Sequence, residues 1–145
     1  LRALSATDDL IARLDGSGCD IKDMLHSELG PYGHVRFNLN GDPLFLPAKL
    51  AVSLGLVFHE LATNAGKYGA FSSTRGLLQV SWSVSEDRLN VTWDETEGPV
   101  IENVGPAGFG TKLLQSALRA FDGKTDIRYL KTGLHCTMQC RIPAN

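Results

Sequence analysis

The chain has 145 residues with 14 Lys plus Arg, 16 Asp plus Glu, 43% hydrophobic residues, 15 Gly and three Cys. That length fits one domain, and a domain of this size buries roughly 68–70% of its unfolded surface without help from disulfides or metals. No apolar run approaches the ~20 residues of a membrane span, Leu1-Arg2-Ala3-Leu4 lacks the apolar core of a signal peptide, and a net charge of −2 speaks against non-specific nucleic-acid binding.

The first residue is Leu rather than Met, so a piece of a longer protein is expected. Leu4, Ile11 and Leu14 line one side of a predicted helix over 1–14. Asp15-Gly16-Ser17-Gly18 stops it and reads as a linker over 15–18. Asp20 caps a second short helix to Leu29, which Gly30-Pro31 ends. Cys19 stands alone, and Cys136 and Cys140 lie four apart rather than in a C-x-x-C. Reduced thiols of a cytoplasmic protein are expected over a metal site.

Val35 to Asn40 alternates at period two and reads as a half-buried strand. A turn over Asn40-Gly41-Asp42-Pro43 leads to a short return strand, Leu44-Phe45-Leu46. Pro47 opens a long helix to about Tyr68, in the favoured first-turn position. Two strands follow, Leu78 to Val84 and Leu89 to Trp93, turning at Ser85-Glu86-Asp87. Gly98 to Gly108 reads as a loop and Thr111 to Phe121 as a helix ended by Asp122-Gly123. Ile127 and Tyr129 mark a strand, and Leu134 to Arg141 the last one. Strands apolar on one face need helices on that face only, which predicts a two-layer α/β sandwich with a mixed or antiparallel sheet, not a doubly wound one.

Three stretches carry candidate chemistry. Leu50, Leu54, Val57, Phe58, Leu61 and Ala65 form the long helix's apolar stripe. Glu60, Asn64 and Lys67 form a narrow ridge beside it, at i, i+4 and i+7. A carboxylate, a carboxamide and an ammonium in a row suit a magnesium–phosphate ligand, and equally suit a solvated helix face. Gly108-Phe109-Gly110-Thr111 opens a helix, where backbone N–H groups attract phosphate. An ordinary loop with Thr111 near its cap reads the same way. Glu95 follows Leu89, Val91 and Trp93 on the covered face of its strand. A carboxylate there needs a partner or a ligand, such as an adenine amino group, unless it reaches solvent at the strand end.

Together these stretches follow the order of the N, G1 and G2 boxes of the Bergerat ATP-binding fold, shared by gyrase, MutL and sensor histidine kinases. The chain most resembles the catalytic domain of the HWE family of bacterial histidine kinases, through HELATNAGKYGAFS (His59 to Ser72), WDETEGPV (Trp93 to Val100) and GFGTKLL (Gly108 to Leu114). The resemblance implies a mixed sheet covered by helices on one face, a catalytic domain over 19–145, and the end of a dimerisation helix over 1–14. It implies ATP and Mg²⁺ as cofactors and phosphoryl transfer to a histidine on a domain absent here. By resemblance Asn64 holds the metal, Glu60 orients the reacting groups and Lys67 contacts phosphate. Glu95 reads adenine, while Gly98, Gly108, Phe109, Gly110 and Thr111 shape the nucleotide site. His59 carries the family's histidine and faces away from the ridge.

The implied partners are the protein's own dimerisation and phosphoacceptor domain, a second copy in a full-length homodimer, and a response regulator. No nucleic acid or membrane contact is expected, and a cytoplasmic location is. Three departures stand out: Glu97 replaces a family glycine, no basic residue lies between Glu95 and Gly108, and no H-R-x-x-N phosphoacceptor sequence occurs. They keep open an alternative, a degenerate domain of the same fold acting as a scaffold or docking module.

Overall fold

The computed structural model describes residues 16–99 and 111–144. Asp20 accepts hydrogen bonds from the backbone N–H groups of Lys22 and Asp23, capping helix α1 (Ile21–Leu29) as its sequence requires. Before it comes β1 (Gly18–Asp20), so the last residue of the expected linker already belongs to a strand. Strands β2 (Phe37–Asn40) and β3 (Phe45–Pro47) precede the long helix α2 (Ala48–Lys67), at which Pro47 stands as the N-cap. Strands β4 (Leu77–Ser85) and β5 (Arg88–Thr96) form a hairpin. Helix α3 (Thr111–Ser116) and strands β6 (Lys124–Leu130) and β7 (Gly133–Arg141) complete the order.

The main sheet runs β2-β4-β5-β7-β6. β2 and β4 are parallel and the other pairs antiparallel, so the sheet is mixed. Register aligns the apolar side chains on one face: Leu39 with Val80, Val80 with Trp93, Trp93 with Cys136, and Cys136 with Ile127. The expected stripe of α2 lies on that face with all six residues buried, and Phe58 stacks on Trp93 with ring centroids 6.3 Å apart. Polar residues such as Asn90, Thr92, Thr137 and Gln139 alternate along the same strands and point the other way. The expected two-layer sandwich is the observed one.

Three local expectations need correction. The strand expected from Val35 begins at Phe37, because His34–Arg36 forms a 3-10 turn closed by Arg36 N–H to the Gly33 carbonyl. Val35 is left 88% exposed. The strand over 44–46 does not return along β2. Ile21 N–H bonds the Leu44 carbonyl and Asp20 accepts from Leu44 N–H, so this segment is tied to β1 and forms a separate antiparallel ribbon. The helix expected to run to Phe121 stops at Ser116 and tightens into a 3-10 turn over Arg119–Phe121, which keeps Leu118 buried. Asp122 then takes the left-handed conformation that ends it.

The expected helix over 1–14 lies outside the described residues, as does most of the loop to Gly108. Among the described residues no helix is long and apolar enough to cross a membrane. All three cysteines are free and buried. Burial pushes the thiols up, to about 11 at Cys19 and Cys140 and about 12 at Cys136, which keeps them protonated and unreactive at neutral pH.

Candidate active-site cleft

Where α2 meets the head of β5 a cleft opens, lined by Leu61, Asn64, Tyr68, Gly69, Glu95 and Leu114, with β6 and β7 closing the far side through Ile127, Tyr129 and Leu134. Asn64 reaches it because it lies at the edge of the stripe that holds α2 on the sheet. Leu114 reaches it because α3 starts beside the cleft.

Glu95 is the polar centre of this cleft. Its side chain points to the covered face, as alternation requires, and the residue is only 3% exposed. The Ala70 N–H donates to Oε1 at 2.9 Å, and the Trp93 indole N–H donates to Oε2 at 2.9 Å. The strand-end alternative, a carboxylate reaching solvent, is excluded. Burial raises the Glu95 carboxyl above its ordinary range, and the two donors pull the other way without cancelling it. Each carboxylate oxygen accepts one bond from the protein and keeps accepting capacity for a ligand.

The loop after α2 is shaped around this carboxylate. A Cβ on Gly69 would collide with Glu95 Oε1. A Cβ on Gly98 would lie 2.9 Å from the Ala70 Cα. Glycine at both positions lets the loop and the end of β5 close on each other around Ala70. Gly98 thus packs against the loop at Ala70, while its role at the nucleotide is what the resemblance implies.

The remaining expected site residues divide. Glu60 lies one turn before Asn64, half-buried, and Lys67 lies exposed in the last turn of α2. Neither lines the cleft that Asn64 and Glu95 share. Thr111 is the first residue of α3, at the helix start the sequence suggested. Gly108, Phe109 and Gly110 lie outside the described residues. Glu97 adopts φ 61°, the left-handed region that favours glycine, which explains why a glycine suits this position. It lines a separate opening with Lys131 and Thr132, away from the Asn64–Glu95 cleft.

His59 finds its partner on α1. Its Nδ1 lies 3.0 Å from Oε2 of the buried Glu28. This pair was missed in the sequence, since Glu28 and His59 stand 31 residues apart and neither helix alone shows the contact. The apolar walls contributed by Ile127, Tyr129 and Leu134 were missed as site residues too. Their alternation marked them as strand residues and carried no sign of a ligand.

This two-layer sandwich, with a polar centre set between the long helix and the sheet, is the fold of histidine-kinase catalytic domains. The catalytic domain of histidine kinase ThkA superposes with a TM-score of 0.66 over 84% of this chain and 92% of that one, at 13% identity. The blue-light activated histidine kinase of Erythrobacter litoralis superposes with a TM-score of 0.67 over 84% of this chain and 40% of that one, at 19% identity. In sequence, the chain is 33% identical over 142 residues to a blue-light-activated histidine kinase of Brucella ovis. It is 38% identical over 143 residues to one of Brucella anthropi, and both matches cover 92% of the chain. The chain spans 29% of the length of these curated relatives. No family model matches it. The chain thus shares the fold of histidine-kinase catalytic domains and is similar in sequence to part of blue-light-activated histidine kinases.

Proposed function

We propose that the cleft binds ATP with Mg²⁺ and that this domain, of the HWE type, transfers the γ-phosphoryl group to a histidine outside this chain. The observation that carries the reading is the pairing in one cleft of Asn64, an oxygen donor, with Glu95, a buried carboxylate. The donor chemistry fits both groups. A carboxamide oxygen is a hard ligand of the kind Mg²⁺ takes alongside phosphate oxygens. A carboxylate with spare lone pairs, walled by Leu61, Leu114, Ile127 and Leu134, fits an adenine amino group and the ring's apolar faces.

Asn64 would hold the metal, whose contribution when bound is to neutralise charge on the phosphates. Glu95 fixes the base by accepting from its amino group, and this sets where the triphosphate lies. Glu60 orients the incoming histidine, whose ring nitrogen bonds to the γ-phosphorus as the bond to the β–γ bridging oxygen breaks and ADP leaves. Lys67 contributes a positive charge on the phosphate side, and Gly108, Phe109, Gly110 and Thr111 supply backbone N–H groups to the phosphates, as the resemblance implies. Positioning and charge stabilisation supply most of the rate in this class of reaction. The phosphoryl group then passes to a response regulator, and the full-length protein is a cytoplasmic homodimer.

Calorimetry of the folded chain with ATP tests the reading. Binding that requires Mg²⁺, and loses that requirement in Asn64→Ala with folding retained, is the expected result. A folded chain that binds neither ATP nor ADP with Mg²⁺ would falsify the proposal. Adding the dimerisation domain of a relative and looking for acid-labile phosphate on it extends the test to transfer.

A further inference from the structure

Arg36 sits outside the cleft, in the turn before β2, and its half-buried guanidinium gathers three backbone carbonyls of one loop. Nε donates to the Gly76 carbonyl at 2.9 Å, and Nη2 donates to the carbonyls of Ala70 at 3.0 Å and Ser73 at 2.5 Å. The group also lies over the Phe71 ring, 5.5 Å from its centroid, and Phe71 stacks on Tyr32 at 4.5 Å. Tyr32 in turn packs beside Gly66 near the end of α2. Arg36 therefore ties the loop over 70–76 to the body of the domain.

Ala70 is the residue the two sides share. Its carbonyl accepts from Arg36 and its N–H donates to Glu95 Oε1. A planar, permanently charged fork is what three carbonyls in fixed directions require, and a lysine ammonium is a single point that cannot match it. We infer that Arg36 is a positioning residue for base recognition. By holding the Ala70 carbonyl it sets the backbone whose N–H, one peptide unit earlier, keeps the Glu95 carboxylate in the orientation that accepts from a 6-amino purine. The inference rests on the proposed role of Glu95 at the adenine and adds a residue that never touches the nucleotide.

The test compares ATP with ITP, which keeps the sugar and triphosphate and carries a carbonyl in place of the 6-amino group. In Arg36→Lys the affinity for ATP falls about tenfold, the scale of one lost charge-assisted hydrogen bond, while affinity for ITP stays within about twofold on the same scale. Equal losses for both nucleotides, or no loss for either, overturn the inference, because a purely structural role does not sort bases. Phe71→Leu removes the plane under the guanidinium and gives the same preference change in smaller measure. If a thermal melt shows Arg36→Lys unfolded, the ratio in Phe71→Leu decides. Glu95→Gln separates the two readings. If it leaves the ATP/ITP ratio unchanged, the proposed role of Glu95 is wrong. If it collapses the ratio and Arg36→Lys does not move it, only the Arg36 inference fails.

Discussion

Glu28 and Glu95 are the two carboxylates buried among the described residues, one between α1 and α2 and the other at the head of β5. Burying a carboxylate costs several kcal/mol unless its oxygens find partners, and the two regions meet that cost differently. Glu95 is met by two neutral donors, one on each oxygen. Glu28 is met on Oε2 by His59, whose side chain is 58% exposed, while Oε1 is buried without a hydrogen-bond partner in the structure. At Glu95 neutral donors hold the side chain still and leave its charge uncancelled, facing an open cleft. At Glu28 the charge is answered by an imidazole, and the contact joins two helices. The difference separates a carboxylate that keeps accepting capacity toward an open cleft from one that ties two helices together.

The largest expected effect comes from deleting the first of them. Glu95→Ala leaves the Trp93 indole and the Ala70 N–H without acceptors and opens a cavity beside them. Orphaned buried donors cost roughly 1–3 kcal/mol each, so a loss of about 2–6 kcal/mol in urea unfolding is expected. Glu95→Gln sharpens the comparison because it removes the charge while keeping the shape. The raised Glu95 carboxyl means that the folded chain takes up a proton more readily than the unfolded one. Its stabilising contribution is complete below the ordinary carboxylate range and is lost as pH rises through the folded value. A neutral amide removes that loss. Its N–H₂ must face either the Ala70 N–H or the Trp93 N–H, so Glu95→Gln loses about 1–3 kcal/mol through one orphaned donor, while its pH dependence above the ordinary carboxylate range flattens. ATP affinity falls in the same variant, since an amide N–H₂ meets the adenine amino group donor to donor. A Gln variant that keeps the wild-type pH dependence of stability would break the contrast between the neutral-donor site at Glu95 and the imidazole-paired site at Glu28.

The Glu28 side predicts a smaller, coupled effect. His59→Ala removes the group that answers a buried carboxylate and costs about 1 kcal/mol, the scale of one hydrogen bond to a half-exposed partner. In a Glu28→Gln background the same substitution costs less, because no charge is left stranded. A double-mutant cycle reads this coupling directly. Strictly additive costs would show that His59 contributes by packing alone and that the contrast with Glu95 is one of depth only.

How much of this was legible beforehand follows from which interactions are local. The stripe of α2, the alternation of β4, β5 and β7 and the Asp20 cap are written in near neighbours, and each stands where its spacing put it. The covered face of Glu95 follows from the same alternation. One donor, Trp93, shares that face two residues back; the other is not legible, since Ala70 lies 25 residues away and arrives only because Gly69 and Gly98 let two backbones approach. The misplaced start of β2 has the same origin. Val35 and Arg36 continue an alternating pattern, yet Arg36 is drawn into a turn by carbonyls 34 to 40 residues distant. The partner of β3 was misjudged because a three-residue strand carries no register information of its own, and the backbone bonds of Ser17 and Ile21 decided it.

The smallest expected effect is at Glu97, where sequence and structure point to different consequences. From the sequence alone, a second carboxylate after Glu95 threatens the nucleotide by repulsion. In the structure Glu97 is exposed, at φ 61°, beside Lys131 and Thr132 rather than in the Asn64–Glu95 cleft. Its cost is then conformational. A non-glycine residue in the left-handed region gives up roughly 1 kcal/mol, part of which returns in Glu97→Gly against the greater freedom of glycine in the unfolded chain. A gain of about 0.5 kcal/mol in stability is expected, with ATP affinity changed by less than about twofold because screened charges outside the cleft interact weakly. Should Glu97→Gly instead raise ATP affinity about tenfold or more without stabilising the fold, the negative charge at this position acts on the triphosphate after all.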